Sequence, residues 1–296
     1  MEIILILVAI LLPVLCAMLC YIITKPIIRN TIIVISSAIL IAVAGMFVRL
    51  LIINHGIISI VINESSPLDI GWIIKLLDVA LLIYIGYIGF KLRKPIIVIL
   101  TFAQFIPLVV FELFTKVQEP SRIFVIDYLS LVMILLVSVV GSIISIFAIG
   151  YMRRHEHHLG ITRTRQSKSR QPRFFFVVFI FLGAMNALVM TNNLMWMFFF
   201  WEVTTLCSYL LISHDGNTEA VENAVKALWM NMLGGVAFIS AIIIIYQAKQ
   251  TLDIVDILKI SSPKDLAGLL PLGLALLCFA GFTKAAQFPF QNWLLG

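Results

Sequence analysis

The chain has 296 residues, of which 61% are hydrophobic and 12% charged, with a formal net charge of +6. A soluble protein of this length carries roughly twice that share of charge, so a water-soluble globular domain is excluded. Apolar runs of about 20 residues recur along the whole chain, so the basic excess is topology information and not a nucleic-acid footprint.

The opening segment, MEIILILVAI, has one acidic residue and no basic n-region. It reads as a retained anchor helix and not as a cleaved signal peptide. Nine spans are predicted, at roughly 3–24, 30–53, 71–91, 95–115, 123–152, 173–190, 193–213, 220–247 and 267–291. All should be helices, because a span must satisfy its own backbone in lipid. The period-two pattern of an outer-membrane barrel is absent. The expected fold class is therefore all-α, a polytopic transmembrane helical bundle.

Basic residues give an expected orientation. Lys25 and Arg29 fall between spans one and two, and Lys91, Arg93 and Lys94 between spans three and four. The stretch RRHEHHLGITRTRQSKSRQPR after span five carries seven Lys/Arg against one Glu. With nine alternating spans, all three connections lie on one side, which the positive-inside rule makes cytoplasmic. The expectation is a multi-pass protein of a prokaryotic cell membrane, N-terminus outside and the Gly296 end cytoplasmic. The opposite loop from Asn54 to Ile70 has no Lys or Arg, as this orientation requires.

Several polar residues have simple structural readings. Cys16 and Cys20 lie four apart on one helical face; a metal pair is conceivable, but small buried hydrophobes is the simpler reading. His155, His157 and His158 read as part of a solvated loop facing lipid headgroups or a partner subunit. Asp127, at the start of span five, suits a helix N-terminus. Lys75 and Asp78 are three apart in span three and can pair on one face. Glu112 lies near the outer end of span four, within reach of water.

Three ionisable residues are harder to explain. Glu202, in FFFWEVTTLCSYLL, lies about ten residues into span seven, roughly 15 Å deep at 1.5 Å per residue. Lys226 lies in NAVKALWMNMLGG of span eight, and Lys284 in GFTKAAQFPFQNWL of span nine. Each intramembrane charge costs about 2.5–3.5 kcal/mol or more, so the three should face inward and pair. A static ion pair is one reading, and a proton path is the other. Thr204, Thr205, Ser208, Asn231 and Gln287 are nearby polar groups in these spans. Pro289 should break span nine near Lys284, as helices do where they line a polar cavity. Gly234 and Gly235 would let another helix approach closely. In a Lys–Glu pair, contact favours both charged forms, and separation favours both neutral forms. Moving one charge therefore moves a proton.

The motifs WEVTTLCSYLLI, NAVKALWMNMLGG and TKAAQFPFQNWL, in this order, resemble successive helices of the antiporter-like membrane subunits. These occur in complex I (NADH:quinone oxidoreductase), in Mrp antiporters and in energy-converting hydrogenases. The resemblance covers roughly residues 123–296, as an antiporter-like proton-translocating module, with 1–122 as N-terminal transmembrane helices. It implies that Glu202 and Lys284 form a coupled pair with Lys226 near the same path. The run FLGAMNALVMTNNLMWMFFFWEVTTLCSYLLISHD looks nearest to the large membrane subunit of Ech-type [NiFe]-hydrogenase. Threonine before Lys284 and alanine at 286 are mild departures from the family pattern.

The family's fold has two inverted repeats of five helices, and this sequence reaches only part of the first. The expectation is a fragment of a longer protein or a truncated subunit. No ligand set for nickel, iron–sulfur or flavin is present, so no cofactor is expected in this chain. The redox chemistry is assigned to peripheral partner subunits carrying NiFe or iron–sulfur centres, beside other membrane subunits. The expected role is a proton-translocating subunit of a redox-driven complex. A sodium/proton antiporter subunit, a complex I subunit and a non-conducting membrane scaffold are the alternatives.

Overall fold

The computed structural model describes residues 2–54, 56–60, 70–115, 122–158, 169–259 and 268–295. Much of the basic stretch after span five and most of the Asn54–Ile70 loop lie outside these residues. The helices are α1 (Glu2–Ile22), α2 (Pro26–Ile53), α3 (Ile70–Lys91), α4 (Pro95–Phe114), α5 (Tyr128–Leu135), α6 (Gly141–His158) and α7 (Gln171–Met190). They continue with α8 (Leu194–Ile212), α9 (Thr218–Lys249), α10 (Ile254–Ile257), α11 (Leu270–Lys284) and α12 (Asn292–Leu295). A π-helical turn, Leu136–Val140, joins α5 to α6 into one long span. Extended segments among the described residues, Ile58–Ile60 and Phe124–Ile126, are three residues each.

The protein is a multi-pass helical membrane protein. Among the described residues, the nine expected spans become eight helices long and apolar enough to cross a membrane, plus the shorter apolar α11. Large apolar side chains such as Leu7, Ile35, Phe102 and Phe147 are exposed, as lipid-facing residues are. Prolines set several boundaries. Pro26 and Pro95 open α2 and α4 at the first helical position, where the missing N–H costs nothing. Asp127 caps α5 by accepting from the Ser130 N–H at 2.7 Å.

Among the described residues, packing forms two compact units. One lies within Met1–Ile60 and Val125–Met190, the other within Val61–Phe124 and Thr191–Gly296. Each takes helices from both sides of residue 122, because spans distant in sequence meet in space.

In the first unit, α1 packs against α7 and α2, and α2 packs against α5 and α6. The α1–α7 contact has a specific origin. Pro13 lies inside α1 and has no N–H to offer the Ala9 carbonyl. Asn186 of α7 takes its place, donating from Nδ2 to Ala9 O at 3.0 Å. Ser138, on the π-helical turn, donates to Asn186 Oδ1 at 3.3 Å. Gly183 allows the approach: a Cβ there would sit 3.0 Å from the Ile10 carbonyl. Replacing Asn186 with Leu is expected to lower stability by about 1 kcal/mol, since the Ala9 carbonyl then has no donor in lipid. Thermal unfolding in detergent measures this.

At the α6–α7 connection, Glu156 is buried and accepts from Ser169 Oγ, the Arg170 and Gln171 backbone N–H groups and Gln171 Nε2. It thereby supplies acceptors to the free N–H groups that open α7. Arg29, also buried, donates to Gln171.

In the second unit α9 is central, packed by α11, α8 and α4, while α3 lies on α4 and α8. Its buried face is rich in small residues, including Ala227, Gly234, Gly235 and Ala241, which lets neighbouring backbones approach. Gly86 and Gly89 do the same for α3 against Thr101 and Ile97 of α4. The loop residue Asn192 ties one end together. Its Nδ2 donates to Arg122 O at 3.0 Å, and its own carbonyl accepts from Ile254 N at 2.7 Å. Asn193 then caps α8, accepting from the Met195 and Trp196 N–H groups.

Candidate functional site

The site lies inside the second unit, where α8, α9, α11 and α4 meet. Glu202 sits midway along α8 and has no solvent exposure. Neither carboxylate oxygen has a hydrogen-bond partner. Its neighbours Thr204 and Thr205 both donate back to the Trp201 carbonyl, and Ser208 donates to Thr204 O. These hydroxyls therefore serve their own helix and not the carboxylate.

Lys284 is the last residue of α11. A helix C-terminus suits a cation, because unpaired carbonyls gather there. The chain leaves the helix at once: Ala286 has a left-handed φ of 52°, and residues 285–291 are not helical. Pro289 falls within this non-helical stretch. Trp293 Nε1 closes the segment by donating to Thr283 O at 3.0 Å. Gln287, expected to share a helical face with Lys284, is exposed because the helix has already ended.

The Lys284 ammonium reaches α8 beside Glu202 without contacting it. Nζ donates to Thr205 Oγ1 at 2.8 Å and to the Trp201 carbonyl at 3.4 Å. It also lies 5.2 Å from the centroid of the Trp201 ring, a cation–π arrangement. Thr205 is one helical turn beyond Glu202. The two groups are thus in electrostatic range but held apart, with Lys284 resting on a neutral hydroxyl.

Lys226 stands elsewhere. It is half-buried on α9, and its Nζ donates to Asn223 Oδ1 of the same helix at 3.4 Å. Gly235, the α9 residue that touches Glu202, lies nine positions further on, or roughly 13 Å along the helix. Asn231 lies between them, fully buried, with Oδ1 unpartnered.

Gln104 of α4 completes the site, and the sequence reading passed over it. It has no solvent exposure and donates from Nε2 to the Met232 carbonyl of α9 at 2.7 Å. A Cβ on Gly235 would meet both Gln104 Nε2 and Glu202 Oε1, so the amide and the carboxylate are neighbours over that glycine. Gly234 likewise faces Thr283 and the Ala280 carbonyl of α11. A glutamine in the middle of an apolar span was a usable signal, since such a group is costly in lipid unless it has a partner.

The sequence profile described as "NADH:quinone oxidoreductase/Mrp antiporter, TM" matches residues 191–296. A second, described as "NADH-Ubiquinone oxidoreductase (complex I), chain 5 N-terminus", matches residues 121–163. A candidate antiporter subunit, mnhA2, of Staphylococcus epidermidis is 31% identical over 217 residues, covering 71% of this chain and 25% of that protein. The Na(+)/H(+) antiporter subunit A1 of Staphylococcus haemolyticus is 31% identical over 169 residues, 57% of this chain and 19% of that one. The chain thus spans about a fifth to a quarter of the length of the curated relatives it matches. In fold it is similar to a chain of the membrane-bound sulfane sulfur reductase, an archaeal respiratory membrane complex. The TM-score is 0.64 at 15% identity, covering 98% of this chain and 46% of that one.

Proposed function

Because the chain belongs to the antiporter-like membrane-subunit family of NADH:quinone oxidoreductase and Mrp antiporters, we propose that it relays protons through Glu202 and Lys284. The observation that carries this reading is the separation of the two groups. Glu202 is wholly buried with both oxygens unpartnered, while Lys284 rests on Thr205 one turn away. A carboxylate in that setting favours its neutral, protonated form. If Lys284 moves from Thr205 to Glu202, both charged forms are favoured, and the carboxyl proton passes to the Lys284 amine. On return to Thr205 the ammonium gives that proton onward towards Lys226, and the Glu202 carboxylate takes up another. The device is bistable, and anything that biases the lysine position drives it. Lys226, further along α9, is assigned to the continuation of the same path through Asn231.

The broader assembly follows the family. The chain works beside other membrane subunits. The redox-linked version, with peripheral partners carrying NiFe or iron–sulfur centres as in an energy-converting hydrogenase, draws on the 181–215 run. A sodium/proton exchange reading is favoured by the antiporter name of a relative. Lys25 and the basic turn Lys91–Lys94 favour a cytoplasmic position for those ends of the helices, with the N-terminus outside.

Glu202→Gln in the assembled complex tests the relay. Gln keeps the shape and cannot ionise, so proton translocation in inverted vesicles is expected to fall by about 100-fold with assembly intact. Unchanged translocation rules the relay out. Replacing sodium with potassium in the same assay separates the two coupling ions.

A further inference from the structure

We propose that the α3–α4 hairpin carries an additional proton station, Asp78, which exchanges a proton with Glu202 beside Gln104 and refills through Glu112. The proposal rests on the Glu202 relay reading and extends it to residues outside both matched profile segments.

The geometry points there. Asp78 lies on α3, which packs on α8, and is 3% exposed with Oδ1 unpartnered. It is in electrostatic range of both Glu202 and Glu112. No ion pair joins it to Lys75 among the described residues; Lys75 is exposed, and its charge acts on Glu112 instead. The pairing expected from the spacing of Lys75 and Asp78 is thus not made. Gln104, on α4, has its Oε1 unpartnered and its amide against Glu202. Pro107, three residues on, has no N–H to give the Ala103 carbonyl.

Three mutually packed helices, α3, α4 and α8, thus carry buried acceptor oxygens: Asp78 Oδ1, Gln104 Oε1 and both oxygens of Glu202. All lack donors. Buried acceptors are satisfied by protons on the carboxyls or by bound water, and a proton path needs both. Ionisable groups buried within membrane spans are rare, and proton relays are among the roles they mark. Glu112 is half-buried near the end of α4, so it connects the line to water.

The transfer balances simply. The O–H bond on the Asp78 carboxyl breaks, and one forms on the Glu202 carboxylate. The negative charge passes from Glu202 to Asp78. Glu112 then delivers a proton to Asp78 and recovers one from water.

The test compares Asp78→Asn, Asp78→Ser, Asp78→Glu and Glu202→Gln in the assembled complex, following translocation and assembly together. Asp78→Asn is expected to slow translocation by about tenfold or more with assembly intact, and Asp78→Glu to restore most of it. If Asp78→Asn translocates normally while Glu202→Gln does not, the station is overturned and the relay stands. If Glu202→Gln also translocates normally, both fall. If Asp78→Asn and Asp78→Ser each prevent assembly, Asp78 is a packing residue and the station is overturned.

Discussion

Lys284→Arg is expected to assemble normally and to stop proton translocation. Arginine keeps the positive charge at the end of α11. It can donate to Thr205 Oγ1 and lie over the Trp201 ring, as the lysine does. Assembly should therefore survive. What arginine does not do is release a proton, because guanidinium stays charged throughout the accessible pH range. If Lys284 only fixes helix packing, arginine replaces it at little cost. If Lys284 gives and takes a proton, the rate should fall by about 100-fold. Lys284→Met should give the same loss for the opposite reason, since the charge is absent at all times. Rates are measured by fluorescence quenching in inverted vesicles, normalised to the amount of assembled complex. Arginine with normal rates would falsify the relay and leave a static scaffold.

Gly235→Ala is expected to destabilise the protein, against the usual direction. Inside a helix, Gly→Ala ordinarily gains about 1 kcal/mol. At Gly235 the added methyl meets Glu202 Oε1 and Gln104 Nε2. Both side chains must shift, and overpacking of this kind costs about 1–3 kcal/mol. The same methyl at Gly281 of α11 meets nothing within 4 Å, so Gly281→Ala should stabilise. Thermal midpoints of the two variants should move in opposite directions. Gly235→Ala should also slow translocation, because the carboxylate is pushed from its place. Midpoints that rise together would show that the α9 surface yields, and that the glycine is not needed for the approach.

Much of the helical architecture was readable from composition, because lipid admits so few backbone solutions. The ends were less so. Span nine was expected to reach residue 291 with a break near Lys284; α11 does end at Lys284, but the backbone turns through Ala286 before Pro289 is reached. The π-helical turn at Leu136–Val140 left no mark in the apolar pattern. Glu202 and Lys284 stood out because ionisable groups in apolar spans are costly. Their relative placement was not predictable: these helices are apolar on nearly every side, so the sequence does not say which face meets which neighbour. That is why Gln104, though conspicuous in an apolar span, could not be assigned to Glu202, and why Lys226 was grouped with a pair that meets α9 roughly 13 Å away along the helix. It is also why Lys75 and Asp78 looked like partners. Spacing puts them on one helix surface, but packing buries only Asp78.

The bond from Asn186 to Ala9 spans 177 positions of sequence. During synthesis, α1 enters the bilayer with the Ala9 carbonyl already stripped of its helical donor by Pro13, long before Asn186 has been made. A carbonyl left without a donor in hydrocarbon is unfavourable, here by the same roughly 1 kcal/mol that Asn186→Leu is expected to cost. The first helix therefore has reason to remain near water or the insertion machinery until α7 arrives. Biogenesis of the first unit is then governed by α7, and α1, though made earlier, is among the last to settle.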